Sequence, residues 1–391
     1  MSARPRVFIH IGLQKTGTSY LQALLWDQQE RLAADGVALV PGDRDDNDQL
    51  MLWISQRYLA GRDPESVETS LQRFRDEMEA TTADQIIYSN ESLADSPDVQ
   101  IAALMEACGD RELHVVITAR DLGRLIPSAW QQLIKSGSVT TYESFLTELS
   151  NVPENPAGTR WSNRHLPHLV HRWGRFVGNE NVHLVTVPPS GSAPEVLLER
   201  FCKAIDIDPA PLRALEAPVA NPGLGNVSTE VLRQVNAALP TELRKTRRTY
   251  GSVVKRYFAN EVLAGFGEQG GPRLKIPTAH EGWVREVSAE HIAALAASGC
   301  RVIGDLDDLV PAAAAFADQE PPRPEQVSEL AAAAIAELLT SRMKTRRARA
   351  RAAKQAVAPA PEAIPGAQPA GPRDAAAAGP LGRLRRRLQR S

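Results

Sequence analysis

One stretch near the start, VFIHIGLQKTGTSYLQALL at residues 7–25, restricts what this chain can fold into. It opens with an apolar, β-branched run at 7–11 and breaks into Gly12-Leu13-Gln14-Lys15-Thr16-Gly17-Thr18-Ser19. It then resumes with Leu21, Leu24 and Leu25 at helical spacing. The pattern predicts a buried strand, a phosphate-sized loop and a helix. Backbone N–H groups at a helix N-terminus, with the helix dipole behind them, favour an anion. Glycines permit close approach, Lys15 adds a positive charge, and Thr16, Thr18 and Ser19 add hydroxyl donors. The plain alternative is an ordinary strand–turn–helix that binds nothing.

Four further apolar runs, at 36–41, 85–89, 113–118 and 182–187, read as strands. Between them lie helical patterns at 50–59, 64–81, 99–108, 122–135, 142–149 and 161–177, and another follows at 194–205; residues 42–48 read as an acidic loop. This alternation predicts an α/β fold, a central parallel sheet with helices on both faces. Ligands of such sheets sit beyond the carboxyl ends of the strands. Lys15, Glu91 and Arg120 each follow a strand directly, so three charges distant in sequence share one rim. From 206 to 311 the pattern is mainly helical, at 227–239, 252–264 and 288–298, with 304–309 as a closing turn. The expected organisation is one domain over 1–311, with an α/β core at 6–205 and a helical part at 206–311. A helical extension covers 312–355, and an Ala/Pro/Gly-rich basic tail at 356–391 reads as disordered.

The formal net charge of −2 hides an asymmetry. Residues 342–391 carry 13 lysines and arginines against 2 acidic residues, and the remainder carries 32 against 45. The tail ends LGRLRRRLQRS, a basic amphipathic segment suited to an anionic membrane surface; it lacks the aromatic residues of a single-strand nucleic-acid binder, so no specific nucleic acid is expected. No apolar run is long enough to span a membrane, and no apolar leader opens the chain, which predicts a cytoplasmic protein, peripheral at the inner membrane surface at most. Cys108, Cys202 and Cys300 are dispersed and odd in number, which suggests buried thiols rather than disulfides. His165, His168 and His171 lie at i, i+3, i+6, a poor spacing for a metal.

The nucleotide-triphosphate loop G-x-x-x-x-G-K-[ST] shares the separation of Gly12 and Gly17 and the position of Ser19, but Thr18 stands where its lysine belongs. The local string instead resembles the 5′-phosphosulfate loop of sulfotransferases that use 3′-phosphoadenosine 5′-phosphosulfate (PAPS), roughly P-K-[TS]-G-[TS]-[TS]-x-L, with Gln14 replacing the proline. In ARDLGRLIPSAWQQLIKSG, Arg120 precedes Ser128 by eight residues. This resembles that family's 3′-phosphate site, where a planar guanidinium and a hydroxyl hold the phosphate. The resemblance covers about 6–205, and the strings at 226–239 and 304–311 are similar to bacterial members.

The resemblance implies a P-loop NTPase-like sulfotransferase fold and PAPS as co-substrate, with no metal. The amides of Thr16, Gly17, Thr18 and Ser19 would hold the 5′-phosphate, Lys15 the bridging oxygen, and Arg120 with Ser128 the 3′-phosphate. The base would be a Glu or His: Glu91 is the first choice, with His10 and Asp48 as rivals. Glu91 could instead cap a helix, and His10 could be a core histidine. Arg160 and Trp161 could clamp the adenine. The acceptor would be a hydroxyl, less readily an amine, of a carbohydrate, lipid or small molecule, met by the loops after Gly42 and Gly137 and by the helical part. The rivals are a small-molecule kinase using ATP and Mg²⁺, and a nucleotide-binding scaffold whose tail is the working part.

Overall fold

The computed structural model describes residues 4–153, 156–159, 161–213 and 223–356; Arg160 and the tail beyond 356 lie outside the described residues. Six strands, β1 (Arg6–Gly12), β2 (Val37–Leu39), β3 (Gln85–Ser89), β4 (Glu112–Ala119), β5 (Val182–Thr186) and β6 (Arg301–Ile303), form one sheet in the order β2-β3-β1-β4-β5-β6. Every pairing is parallel. The connection from β1 runs to one side of the sheet, toward β2, and that from β4 to the other, toward β5, which opens a crevice beyond the carboxyl ends of β1 and β4.

The apolar runs are continuous because both faces of the sheet are covered. Alternate residues of β1 face opposite sides. Val7, Ile9 and Ile11 pack with Ile86, Tyr88, Val115 and Ile117 in one cluster, and Phe8 packs with Ile87, Val116 and Val185 in the other. The first helices of the chain are α1 (Thr18–Asp27), α2 (Gln29–Ala34), α3 (Arg44–Ile54), α4 (Ser70–Ala80) and α5 (Asp98–Ala107). They are followed by α6 (Leu122–Lys135), α7 (Tyr142–Ser150), α8 (Leu166–Val177) and α9 (Pro194–Ala204). Helices α5 and α8 cover the first face, and α1 and α9 the second.

The C-terminal part adds α10 (Ala210–Arg213), α11 (Asn226–Ala238), α12 (Thr241–Lys245), α13 (Arg247–Tyr250), a π-helical segment (Gly251–Leu263), α14 (Glu281–Ala297) and α15 (Pro324–Ala356). Trp130 and Ile134 of α6 pack with Val231 and Leu232 of α11, Phe258 and Val262 of the π-helical segment, and Val327, Leu330 and Ala334 of α15. The first compact unit therefore runs past residue 311, over Met1–Leu338; the second is Leu339–Ser391.

Several local expectations need correction. Residues 44–48 are the first turns of α3, not a loop: Asp43 caps the amides of Asp45 and Asp46, and acidic residues suit a helix N-terminus. Helix α8 starts at Leu166, where His165 caps it, rather than at 161. Residues 64–81 split into a 3₁₀ turn and α4. The segment at 252–264 is π-helical, and α14 begins at Glu281, ahead of 288. The sixth strand lies in a region read as helical. Its three residues are too few to show a period, and its place is fixed by the turn after it. Asp308 accepts from Arg200 at 2.6 Å and from Thr186 at 2.7 Å, which ties that turn to β5 and α9. Among the described residues no helix is long and apolar enough to cross a membrane.

Candidate functional site

The turn between β1 and α1 is held by backbone geometry. Gly12, Lys15 and Gly17 all have positive φ, at 102°, 70° and 91°. The left-handed region is costly for a side-chain-bearing residue such as Lys15 and persists only where surroundings enforce it. Here Arg120 enforces it: its Nη1 donates to the Lys15 carbonyl at 2.9 Å. Thr16 is buried, and its hydroxyl donates to the Leu13 carbonyl and pairs with the Thr118 hydroxyl of β4. That hydroxyl is turned into the fold, so only the Thr16 amide remains to serve an anion. Thr18 is also buried, whereas Ser19 is exposed. The helix ladder starts with Tyr20 donating to the Gly17 carbonyl at 3.0 Å, which leaves the amides of Gly17, Thr18 and Ser19 outside it.

Glu91 stands across from this turn. A Cβ on Gly12 would lie 3.0 Å from the Cα of Glu91, so glycine permits the approach of the two chain segments. Glu91 does not serve as a cap. The 3₁₀ turn that follows has Ser92 at its N-cap with no side-chain cap bond; Asn90 accepts from the Ser92 amide at 3.1 Å, while the Glu91 carboxylate accepts from Gln22 of α1 at 2.9 Å. Asp48 is a neighbour: crowding by the protein, then Asp45 and Glu91, raises its pKa. His10 is sealed in the sheet, with Nδ1 bonded to Ser89 at 2.8 Å and its ring edge against Phe201. Burial lowers its pKa to about 3, so it stays neutral and away from the cleft. That is the core-histidine outcome.

Lys15 reaches solvent at the lip. Burial in the surrounding protein lowers its pKa first, then the charge of Lys255; Glu91 opposes, and Arg120 and Arg164 add to the lowering. Arg120 has its Nε buried without a partner. Burial takes its pKa down to about 10, with Arg124 and Arg273 adding to the lowering and Asp121 opposing. Lys135, at the end of α6, is buried and donates to the Asn260 amide oxygen at 2.8 Å; burial, then Lys15 and Lys255, lowers its pKa to about 8.

The structure thus brings Lys15, Glu91 and Arg120 to one rim, as expected. Ser128 is different: its hydroxyl donates back to the Arg124 carbonyl at 2.9 Å within α6. Trp161 is buried, and Arg164 lies over its ring at 5.9 Å. Lys135, Lys255, Arg164 and Arg273 were missed, because residues brought together across 120 positions leave no local spacing to read. Among the described residues no group of three His, Cys, Asp or Glu is arranged to hold a metal ion, although His165 stacks edge-on against His291 at 4.3 Å.

A cavity of about 1170 Å³ opens beside the rim, with Gln14, Met51, Arg57 and Ser92 in its wall. A small crevice lined by Gln14, Glu91, Ser92 and Arg164 lies next to it. No known family model, curated protein or solved structure matches the chain.

Proposed function

We propose that this chain is a sulfotransferase that moves a sulfuryl group from PAPS to an acceptor hydroxyl, on a P-loop NTPase-like sulfotransferase fold. The observation that carries the reading is the Lys15 turn: a left-handed lysine at a helix N-terminus, its carbonyl clamped by an arginine whose Nε has no partner. A donor with a phosphate at each end matches both halves. The amides of Thr16 to Ser19 receive the 5′-phosphate. Arg120 receives the 3′-phosphate with its guanidinium, and Arg273, whose charge it feels, adds to the pull. Ser128 would join them by exchanging its bond to Arg124, a role that rests on the resemblance alone.

In the reaction the acceptor oxygen forms a bond to sulfur as the bond from sulfur to the bridging oxygen breaks. The electron pair of that bond stays on the 5′-phosphate of the departing 3′,5′-bisphosphate, where Lys15 stabilises it. The acceptor proton passes to Glu91, which Gln22 orients from α1. Positioning and electrostatics carry the catalysis, so the reading involves no metal.

The test is turnover of PAPS to the bisphosphate with nucleotide affinity measured alongside. Glu91→Gln should lower turnover roughly a hundredfold and leave bisphosphate affinity within about twofold. Unchanged turnover in that variant would remove Glu91 as the base.

A further inference from the structure

The cavity beside the rim has a charge that the composition does not explain. Outside the tail the chain holds an excess of acidic residues, 32 basic against 45 acidic. Yet the described wall of the cavity carries six cations, Arg57, Lys135, Arg164, Arg244, Lys245 and Lys255, and a single carboxylate, Glu148. Lys245 faces Glu242 at 4.0 Å, outside the wall, and a cleft lined mainly by one sign of charge concentrates ions of the opposite sign. Lys135 is buried with the neutral Asn260 as its hydrogen-bond partner. Arg244 spends Nη1 on the Gly137 carbonyl at 3.2 Å and keeps its Nε buried without a partner.

The described wall contains none of Thr16 to Ser19, Arg120, Ser128 or Arg273, so it is not the place of the donor phosphates. It meets the reaction centre at Gln14 and Ser92, which also line the crevice with Glu91. Between the cations lie Leu133, Phe145, Leu149, Trp161 and Tyr250, apolar and aromatic faces suited to a ring.

We propose that this cavity is the acceptor site and that the acceptor is an anion: a ring-bearing hydroxyl compound carrying two or more carboxylate, phosphate or sulfate groups. The proposal rests on the sulfuryl-transfer reading for the word acceptor, whereas the anion site stands on the cavity alone. The acceptor's anionic groups lie against Lys135, Lys255 and Arg244, and its hydroxyl points through the opening at Gln14 and Ser92 toward Glu91. Neutral alcohols of the same shape bind weakly, because they bring no opposite charge to the cluster.

The probe is pyranine, a hydroxypyrene bearing three sulfonates, compared with uncharged 1-hydroxypyrene, each titrated by fluorescence into the full chain with and without saturating 3′,5′-bisphosphate. Pyranine should bind in both conditions, at least roughly tenfold more tightly than 1-hydroxypyrene. Lys135→Gln and Lys255→Gln should each weaken pyranine about tenfold while bisphosphate affinity holds. Lys255 is half-buried on the π-helical segment, so its variant answers the question if the Lys135 variant fails to fold. Equal affinity for the two pyrenes, no pyranine binding, or pyranine binding that Lys255→Gln leaves unchanged would overturn the proposal. Displacement of pyranine by the bisphosphate would also overturn it, because the dye would then mark the donor site. Failure of the bisphosphate to bind, with pyranine behaving as expected, would count against the sulfotransferase reading and leave the anion site in place.

Discussion

The turn after β1 and the cavity beside it both gather positive charge, but they do so by different means. In the turn the backbone does the gathering. Three positive-φ residues, an inward-tied Thr16 and the Arg120 clamp hold a short run of amides in one shape. In the cavity the side chains do it, from α6, α12, the π-helical segment, the stretch after α3 and the turn before α8. A backbone cradle is preorganised and selects by geometry. A set of long cations can adjust, selects by charge and is weakened by salt. Changes of shape should therefore damage the turn, and changes of charge the cavity.

The largest effect should come from the lysine of the turn. Lys15→Ala removes the cation at the bridging oxygen and should cost roughly 3–4 kcal/mol in turnover, by analogy with losing an oxyanion donor. Single-turnover rates with labelled PAPS would show it; a loss confined to acceptor affinity would place Lys15 with the cavity instead. Arg120→Ala removes a charged contact to the nucleotide and the clamp on the Lys15 carbonyl, and bisphosphate affinity should fall by about 2–3 kcal/mol. Unchanged affinity would mean that the clamp serves the fold alone.

Gly17→Ala tests shape without touching charge. A Cβ there would lie 2.5 Å from Leu197 Cδ2, at a φ of 91°. Stability should drop by about 1–2 kcal/mol and nucleotide affinity with it, while the cavity's preference for anions survives. The smallest of these effects near neutrality is a pH dependence of the fold. Burial lowers the pKa values of His10 and His291 to about 3 and of His183 to about 4, below the ordinary histidine value of 6.5. The unfolded chain therefore binds more protons in that range. The stability these rings contribute is complete above about pH 6.5 and is lost as pH falls toward 3–4, by up to a few kcal/mol. Melting temperatures between pH 7 and 4 should fall accordingly, and a flat profile would show that these rings are not held neutral.

The first 205 residues were largely legible because their code is local. An apolar run buried on both faces announces a strand, and Lys15, Glu91 and Arg120 follow such runs directly. The Lys15–Arg120 clamp was not legible, because a backbone carbonyl leaves no mark in the sequence. Neither was the inward turn of the Thr16 hydroxyl, which depends on Thr118 in the neighbouring strand. Strand β6 escaped notice because a three-residue strand has no period. The cavity escaped because Lys135 and Lys255 meet only after α6 and the π-helical segment pack together around Phe258 and Val262. Asn236 shows how that packing is set: it donates to the carbonyls of Ile134 and Ser138 and accepts from the Tyr250 hydroxyl, three contacts no helical spacing predicts.

The most direct test of the central claim is calorimetric binding of 3′-phosphoadenosine 5′-phosphate against ATP, each with and without Mg²⁺. Tight, Mg²⁺-independent binding of the bisphosphate, lost in Lys15→Ala and Arg120→Ala, is the predicted result. Binding of ATP alone, and only with Mg²⁺, would contradict the account and make the Lys15 turn a kinase loop.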